Sequence, residues 1–167
     1  MIAVIGCGNP NRSDDGAGIA VIDQLRRSGE LQLRDDVKLL DAGTDGMAVM
    51  FAARGCTTLI VVDCCTTGAE PGATFEVPGH EVESRHEPSL SLHDFRWDHA
   101  LHAGRQIYRN DFPRDVTAYL IEAESVDLGI GLSPVVRGAA TTIAKKIEAR
   151  ILALPPCLSA VGAGAAT

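Results

Sequence analysis

The chain opens with an apolar run, Ile2-Ala3-Val4-Ile5, that passes through a glycine turn directly into a helical pattern. No other stretch constrains the fold as much as this junction. The turn reads Gly6-Cys7-Gly8-Asn9-Pro10-Asn11-Arg12-Ser13-Asp14-Asp15-Gly16-Ala17-Gly18, and Ile19-Ala20-Val21-Ile22 with Leu25 follow it. Backbone N–H groups exposed at a helix start usually attract a phosphate. Here Asp14 and Asp15 stand where the phosphate would lie, and carboxylates repel a phosphate but suit a cation. The dinucleotide fingerprint also fails on spacing: after Gly6 and Gly8 its third glycine falls due at Asn11. The unit is a strand–turn–helix of the acidic, cation-seeking kind.

Strand-like and helix-like runs then alternate. Val37-Lys38-Leu39-Leu40 predicts a second strand, Met47 to Arg54 a short helix capped by Gly55, and Thr58-Leu59-Ile60-Val61-Val62 a third strand. The third run is almost wholly apolar, which predicts a central strand covered on both faces. Thr74 to Val77 reads as a brief extended piece. A polar stretch from Pro78 to Ser91 precedes a helix from His93 to about Tyr108, with Ser91 as its N-cap. Val116 to Ile121 is a further strand. Ser133-Pro134 starts a last helix to about Leu152, apolar at Val135, Val136, Ala139, Ala140, Ile143, Ile147 and Ile151. No internal repeat is visible. The expected fold is α/β: one domain over residues 1–153 with a mostly parallel sheet and helices on both faces, then a flexible tail over 154–167.

A length of 167 residues is enough for one cored domain. The net charge of −7 argues against a nucleic-acid or anionic-membrane partner. No apolar run approaches the ~20 residues of a membrane span. The start lacks the basic segment of a signal peptide, so the cytoplasm is the expected compartment. Cys7, Cys56, Cys64, Cys65 and Cys157 form an odd set without CxxC spacing, read as reduced, buried small hydrophobes. Cys64-Cys65 tempts as a metal or redox pair, but neighbours on a strand point to opposite faces and hardly share one ligand set.

Sheets of this type carry their sites beyond the carboxyl ends of the strands, near a switch in strand order. Asp14 and Asp15 follow the first strand, Asp41 closes the second, Asp63 closes the third, and His93 begins the helix after the polar loop. Asp15, Asp63 and His93 can meet there as two oxygen donors and an imidazole, a set suited to zinc or nickel rather than magnesium. Against this, an aspartate at a helix start is often only a cap, which accounts for Asp14. An aspartate ending an apolar strand is harder to dismiss, because a charge beside a buried sheet is costly without a partner. His80 and His86 read as solvated loop residues, and His99 and His102 belong to the helix after His93.

Five fragments in order carry a resemblance: Gly6-x-Gly8-Asn9 with Asp14-Asp15-Gly16-x-Gly18; Asp41-x-Gly43-Thr44-x-Gly46; Leu59-Ile60-Val61-Val62-Asp63; Ser91-Leu92-His93; and Gly131-Leu132-Ser133-Pro134. Over residues 1–152 the sequence resembles the hydrogenase maturation endopeptidases, which clip a carboxy-terminal extension from the large subunit of nickel–iron hydrogenases. The resemblance implies a twisted five-stranded sheet, and it places the family's metal-contacting, catalytic residues on Asp15, Asp63 and His93. It implies nickel on the substrate rather than a resident metal, no nucleotide, a nickel–iron hydrogenase large-subunit precursor as partner, and a monomer. Cys64-Cys65 and Phe95-Arg96-Trp97-Asp98-His99 stand outside the diagnostic pattern. Neither an HExxH pair nor a GxSxG elbow is present. Two chemistries stay open on the residues alone: the metal polarises the scissile carbonyl, or an aspartate activates water. The rival readings are a hydrolase with its own metal, a nickel chaperone that does not cut, and a nucleotide-binding module.

Overall fold

The computed structural model describes residues 1–85 and 95–156. Five strands, β1 (Ile2–Cys7), β2 (Val37–Gly43), β3 (Thr58–Cys65), β4 (Thr74–Pro78) and β5 (Asp115–Glu122), form one sheet in the order β2-β1-β3-β5-β4. All neighbouring pairs are parallel except β4 against β5. The helices are α1 (Ala17–Arg26), α2 (Gly46–Ala53), α3 (Gly79–Val82), α4 (Trp97–Tyr108) and α5 (Pro134–Ala153). Chain order reverses between β1 and β3, so the crevice between their carboxyl ends is the place where such a sheet holds a ligand.

The period-two alternation of the strands sorts the core into two layers. Ile2 and Val4 of β1, Ile60 and Val62 of β3, and Tyr119 and Ile121 of β5 face α1 and α5. Ala3 and Ile5, Leu59 and Val61, and Ala118 face α2 and α4. β3 is buried from Thr58 to Val62, as its unbroken apolar run predicts. Leu59 is completely buried, so its truncation to Ala is expected to cost about 2–5 kcal/mol. On α5 the predicted apolar positions are buried except Val135, which stays 45% exposed in the first turn.

The helix expected to begin at His93 begins at Trp97. Phe95 and Arg96 are not helical, and the first turn closes with the Ala100 N–H on the Arg96 carbonyl (3.0 Å). The reason lies in α2. A Cβ at Gly46 would sit 2.3 Å from the Phe95 carbonyl oxygen, so the chain runs in close contact with the start of α2 before it can coil. His99 Nδ1 then accepts from the Arg96 N–H (3.3 Å) and takes the capping role expected of Ser91. Ser91, His93, Asp94, His86, Cys157 and positions 157–167 of the expected tail lie outside the described residues. The polar stretch also holds the short helix α3, where His80 is exposed as expected.

Candidate active site at the switch point

The two adjacent aspartates of the first loop part company. Asp14 is buried, and its carboxylate accepts from the N–H groups of Ser133 (2.7 Å), Glu124 (3.0 Å) and Ser125 (3.2 Å). It ties the β1–α1 turn to the loop before α5, and three donors leave it little capacity for a ligand. The role is structural but not the expected cap: the carboxylate serves a distant loop rather than the start of its own helix. Asp15 turns the other way, accepting from the Asn9 N–H (3.0 Å) on one oxygen and the Cys64 thiol (3.1 Å) on the other.

Asp63 comes up from β3 to meet Asp15. Its Oδ1 accepts from the Cys64 N–H (2.9 Å) and its Oδ2 from the indole N–H of Trp97 (2.6 Å). One carboxylate oxygen from each aspartate and the Cys64 Sγ lie within 4.8 Å of one another. Asp15, Asp63 and Cys64 line a cleft of about 710 Å³ whose other walls include Gly8, Thr44 and Trp97. Gly8 keeps this corner open. Its φ is +115°, and a Cβ there would lie 1.8 Å from the Asp15 carbonyl oxygen and 3.6 Å from Asp63 Oδ1. Asp41, paired with Gly6 on the edge strand β2, is exposed, accepts from the Gly43 N–H (2.9 Å) and is not part of the cluster.

Burial sets the electrostatics. It pushes the Asp63 carboxyl up to about 6; the Trp97 and Cys64 donors pull against it, and the Asp15 charge adds to the rise. Burial, and then the hydrogen bond to Asp15, also hold the Cys64 thiol far above its usual range. Burial raises the Cys65 thiol to about 12, helped by the Glu122 carboxylate that accepts from it (3.3 Å). Neither thiol supplies a thiolate nucleophile at neutral pH. Cys64 and Cys65 do point to opposite sides, as strand alternation requires, but of the four described cysteines only Cys7 and Cys56 are the buried hydrophobes expected of the set. Cys64 belongs to the cleft.

The sequence-predicted residues Asp15 and Asp63 are therefore brought together, while His93 lies outside the described residues. Trp97 and Cys64 are the neighbours that sequence reasoning did not place there. Cys64 followed from its position beside Asp63 only once the orientation of β3 was known. Trp97 stood out only as part of a segment outside the diagnostic pattern, since a tryptophan inside an expected helix reads as core.

The sequence profile of the hydrogenase maturation protease family (HycI) matches residues 19–150. The chain belongs to this family. It is 29% identical over 136 residues to the hydrogenase 2 maturation protease of Escherichia coli strain K12, covering 81% of this chain and 80% of that one. To the hydrogenase expression/formation protein HupD of Rhizobium leguminosarum bv. viciae it is 31% identical over 141 residues, covering 82% and 67%. The fold is similar to that of the Escherichia coli hydrogenase-maturating endopeptidase HybD, with a TM-score of 0.73 at 23% identity over 92% of this chain and 93% of that one. As a hydrogenase maturation protease the chain is a hydrolase of peptide bonds. Among the described residues no helix is long and apolar enough to cross a membrane.

Proposed function

We propose that this protease removes the carboxy-terminal extension of a nickel–iron hydrogenase large-subunit precursor, and that it reads nickel already installed in that precursor through Asp15, Asp63 and His93. One observation carries the reading: a carboxylate oxygen of Asp15, from the turn after β1, and one of Asp63, near the end of β3, stand within 4.8 Å of each other in the cleft. Like charges so close repel, and a cation between them converts the repulsion into coordination. A precursor without metal meets that repulsion, whereas a nickel-loaded precursor is drawn in and its extension is positioned for hydrolysis. His93 supplies the nitrogen donor that suits nickel. Nickel is then part of the substrate, and neither a nucleotide nor a nucleic acid takes part. The protein acts as a monomer in the cytoplasm.

The test is the shift of precursor to mature large subunit on a gel, with nickel-loaded and nickel-free precursor run side by side. Cleavage of the loaded form alone is the expected result, and His93→Ala should abolish most of it. Equal cleavage of both forms would refute the gate and make a peptidase with its own metal the better account.

A further inference from the structure

We propose that Cys64 is a further metal-ligating residue of this site, beyond Asp15, Asp63 and His93, so that Asp15, Asp63 and Cys64 form an oxygen–oxygen–sulfur face for a borderline divalent cation. The inference rests on the reading of Asp15 and Asp63 as metal-facing, and it adds a donor that the sequence pattern does not contain.

The geometry is close to that of coordination. Ligand atoms around a tetrahedral ion with bonds of about 2.0–2.3 Å stand about 3.3–3.8 Å apart. The three atoms here lie within 4.8 Å of one another, and Cys64 Sγ is already 3.1 Å from Asp15 Oδ1. That thiol proton occupies the place a metal would take. On coordination the S–H bond breaks, the sulfur keeps the electron pair and donates it to the metal, and the proton leaves to water. Two carboxylates and a thiolate around a divalent ion leave one net negative charge, in place of two adjacent carboxylates with nothing between them.

Neighbouring residues separate Cys64 from an inert thiol. Cys7 and Cys56 are buried in the apolar layer, whereas Cys64 is only half-buried and its thiol reaches the Asp15 carboxylate in the cleft. Cys65, one residue on, also lines the cleft but gives its thiol to Glu122 and stands outside the Asp15–Asp63 cluster. Gly8 leaves open the space in front of Asp63 Oδ1. A sulfur donor also sets the selectivity: it favours nickel, zinc, cobalt and cadmium, and it gives magnesium and calcium no advantage.

The experiment is a titration of the purified full chain with cobalt(II), followed by its sulfur-to-metal charge-transfer absorption, with cadmium(II) as a second probe. One equivalent should develop the band, and excess magnesium should not suppress it. Cys64→Ser should lose the band and bind cobalt about 10- to 100-fold more weakly, while Cys65→Ser should keep both. Asp15→Asn, which retains the thiol, should weaken binding and diminish the band. Circular dichroism checks each fold, and Cys64→Ala replaces the serine variant if that one fails to fold. A band that survives in a folded Cys64 variant, a band missing from the wild type, or no binding at all would each overturn the proposal. Nickel-dependent cleavage alongside any of these results would leave the gating reading standing and remove Cys64 alone. A normal cobalt band with nickel-independent cleavage would do the reverse.

Discussion

Two carboxylates at the same edge of the sheet behave in opposite ways. Asp63, near the end of β3, is pushed up to about 6, whereas Glu122, at the end of β5, is held down at about 2. Both are taken from solvent, and burial alone would raise both. The donors make the difference. Glu122 accepts from the Thr67 N–H (2.8 Å) and hydroxyl (2.8 Å), the Gly68 N–H (2.8 Å) and the Cys65 thiol (3.3 Å). These outweigh burial. Asp63 has one backbone donor and one indole donor, with the Asp15 charge close by. A carboxylate saturated by its own chain is a structural part. One with fewer donors beside another carboxylate is the candidate place for a cation on which the proposed function rests.

The largest break in this comparison is expected from Asp63→Asn. It keeps the shape of the side chain and loses the charge, so precursor processing should fall by at least about 100-fold, given that even partners one step removed from a metal cost about 10- to 100-fold. Stability should move the other way. The unfolded carboxyl gives up its proton near 3.8 and the folded one near 6, so wild-type stability falls as pH rises through that window. The penalty above pH ~6 is about 3 kcal/mol. The uncharged amide escapes it but loses one acceptor, so the variant should gain about 1–2 kcal/mol at pH 8. Urea unfolding at pH 4 and pH 8 measures this, and a gain that persists unchanged at pH 4 would contradict the burial account.

Trp97→Phe sharpens the same contrast. It keeps the ring against the core and removes the N–H that orients Asp63 Oδ2. Processing should drop by about 10-fold, and the pH at which activity is half-maximal should move upward, because a donor that favours the charged carboxylate has gone. An unchanged pH profile would reduce Trp97 to a packing residue.

Glu122→Gln should act on stability and hardly on processing. The folded carboxylate is held well below its unfolded value, so its contribution is complete above about pH 4.5 and is lost as pH falls toward 2. The variant should melt roughly 5 °C lower at pH 7, and the difference should shrink in acid. A loss of processing larger than the loss of folded protein would show that Glu122 belongs to the site after all. Cys65→Ser is the smallest change: it exchanges one weak donor to Glu122 for a stronger one, and melting should shift by less than about 3 °C with processing unaltered.

How much of this was legible in the chain can be followed through particular residues. Short apolar runs alternating with helical periodicity predict the strands and the main helices that bury them, because a strand covered on both faces is apolar throughout and a covering helix repeats every 3.6 residues. Ser133-Pro134 marks the start of α5, and the Ser133 hydroxyl accepts from the Val136 N–H (3.4 Å) as such a cap should. Asp15 and Asp63 were identifiable because both follow apolar strand runs in a fold that gathers strand ends at one edge. Local chemistry sufficed for the Ser133 cap and for a carboxylate at the end of β3, since each signal lies within a few residues of the feature it specifies, but it did not separate Asp15 from Asp14.

Tertiary packing decided the rest. The start of α4 moved to Trp97 because the chain must first pass the backbone of Gly46, 49 residues before Phe95 in sequence. Cys64 reached Asp15 while Cys65, on the same cleft wall, reached Glu122, because neighbouring side chains on β3 point to opposite faces and tertiary packing decides what meets each face. The split between Asp14 and Asp15 has the same origin: loop residues 124, 125 and 133 arrive from the far end of the chain to claim one and leave the other. Two adjacent aspartates carry identical local chemistry. Only the three-dimensional supply of donors makes one a strut and the other a candidate ligand.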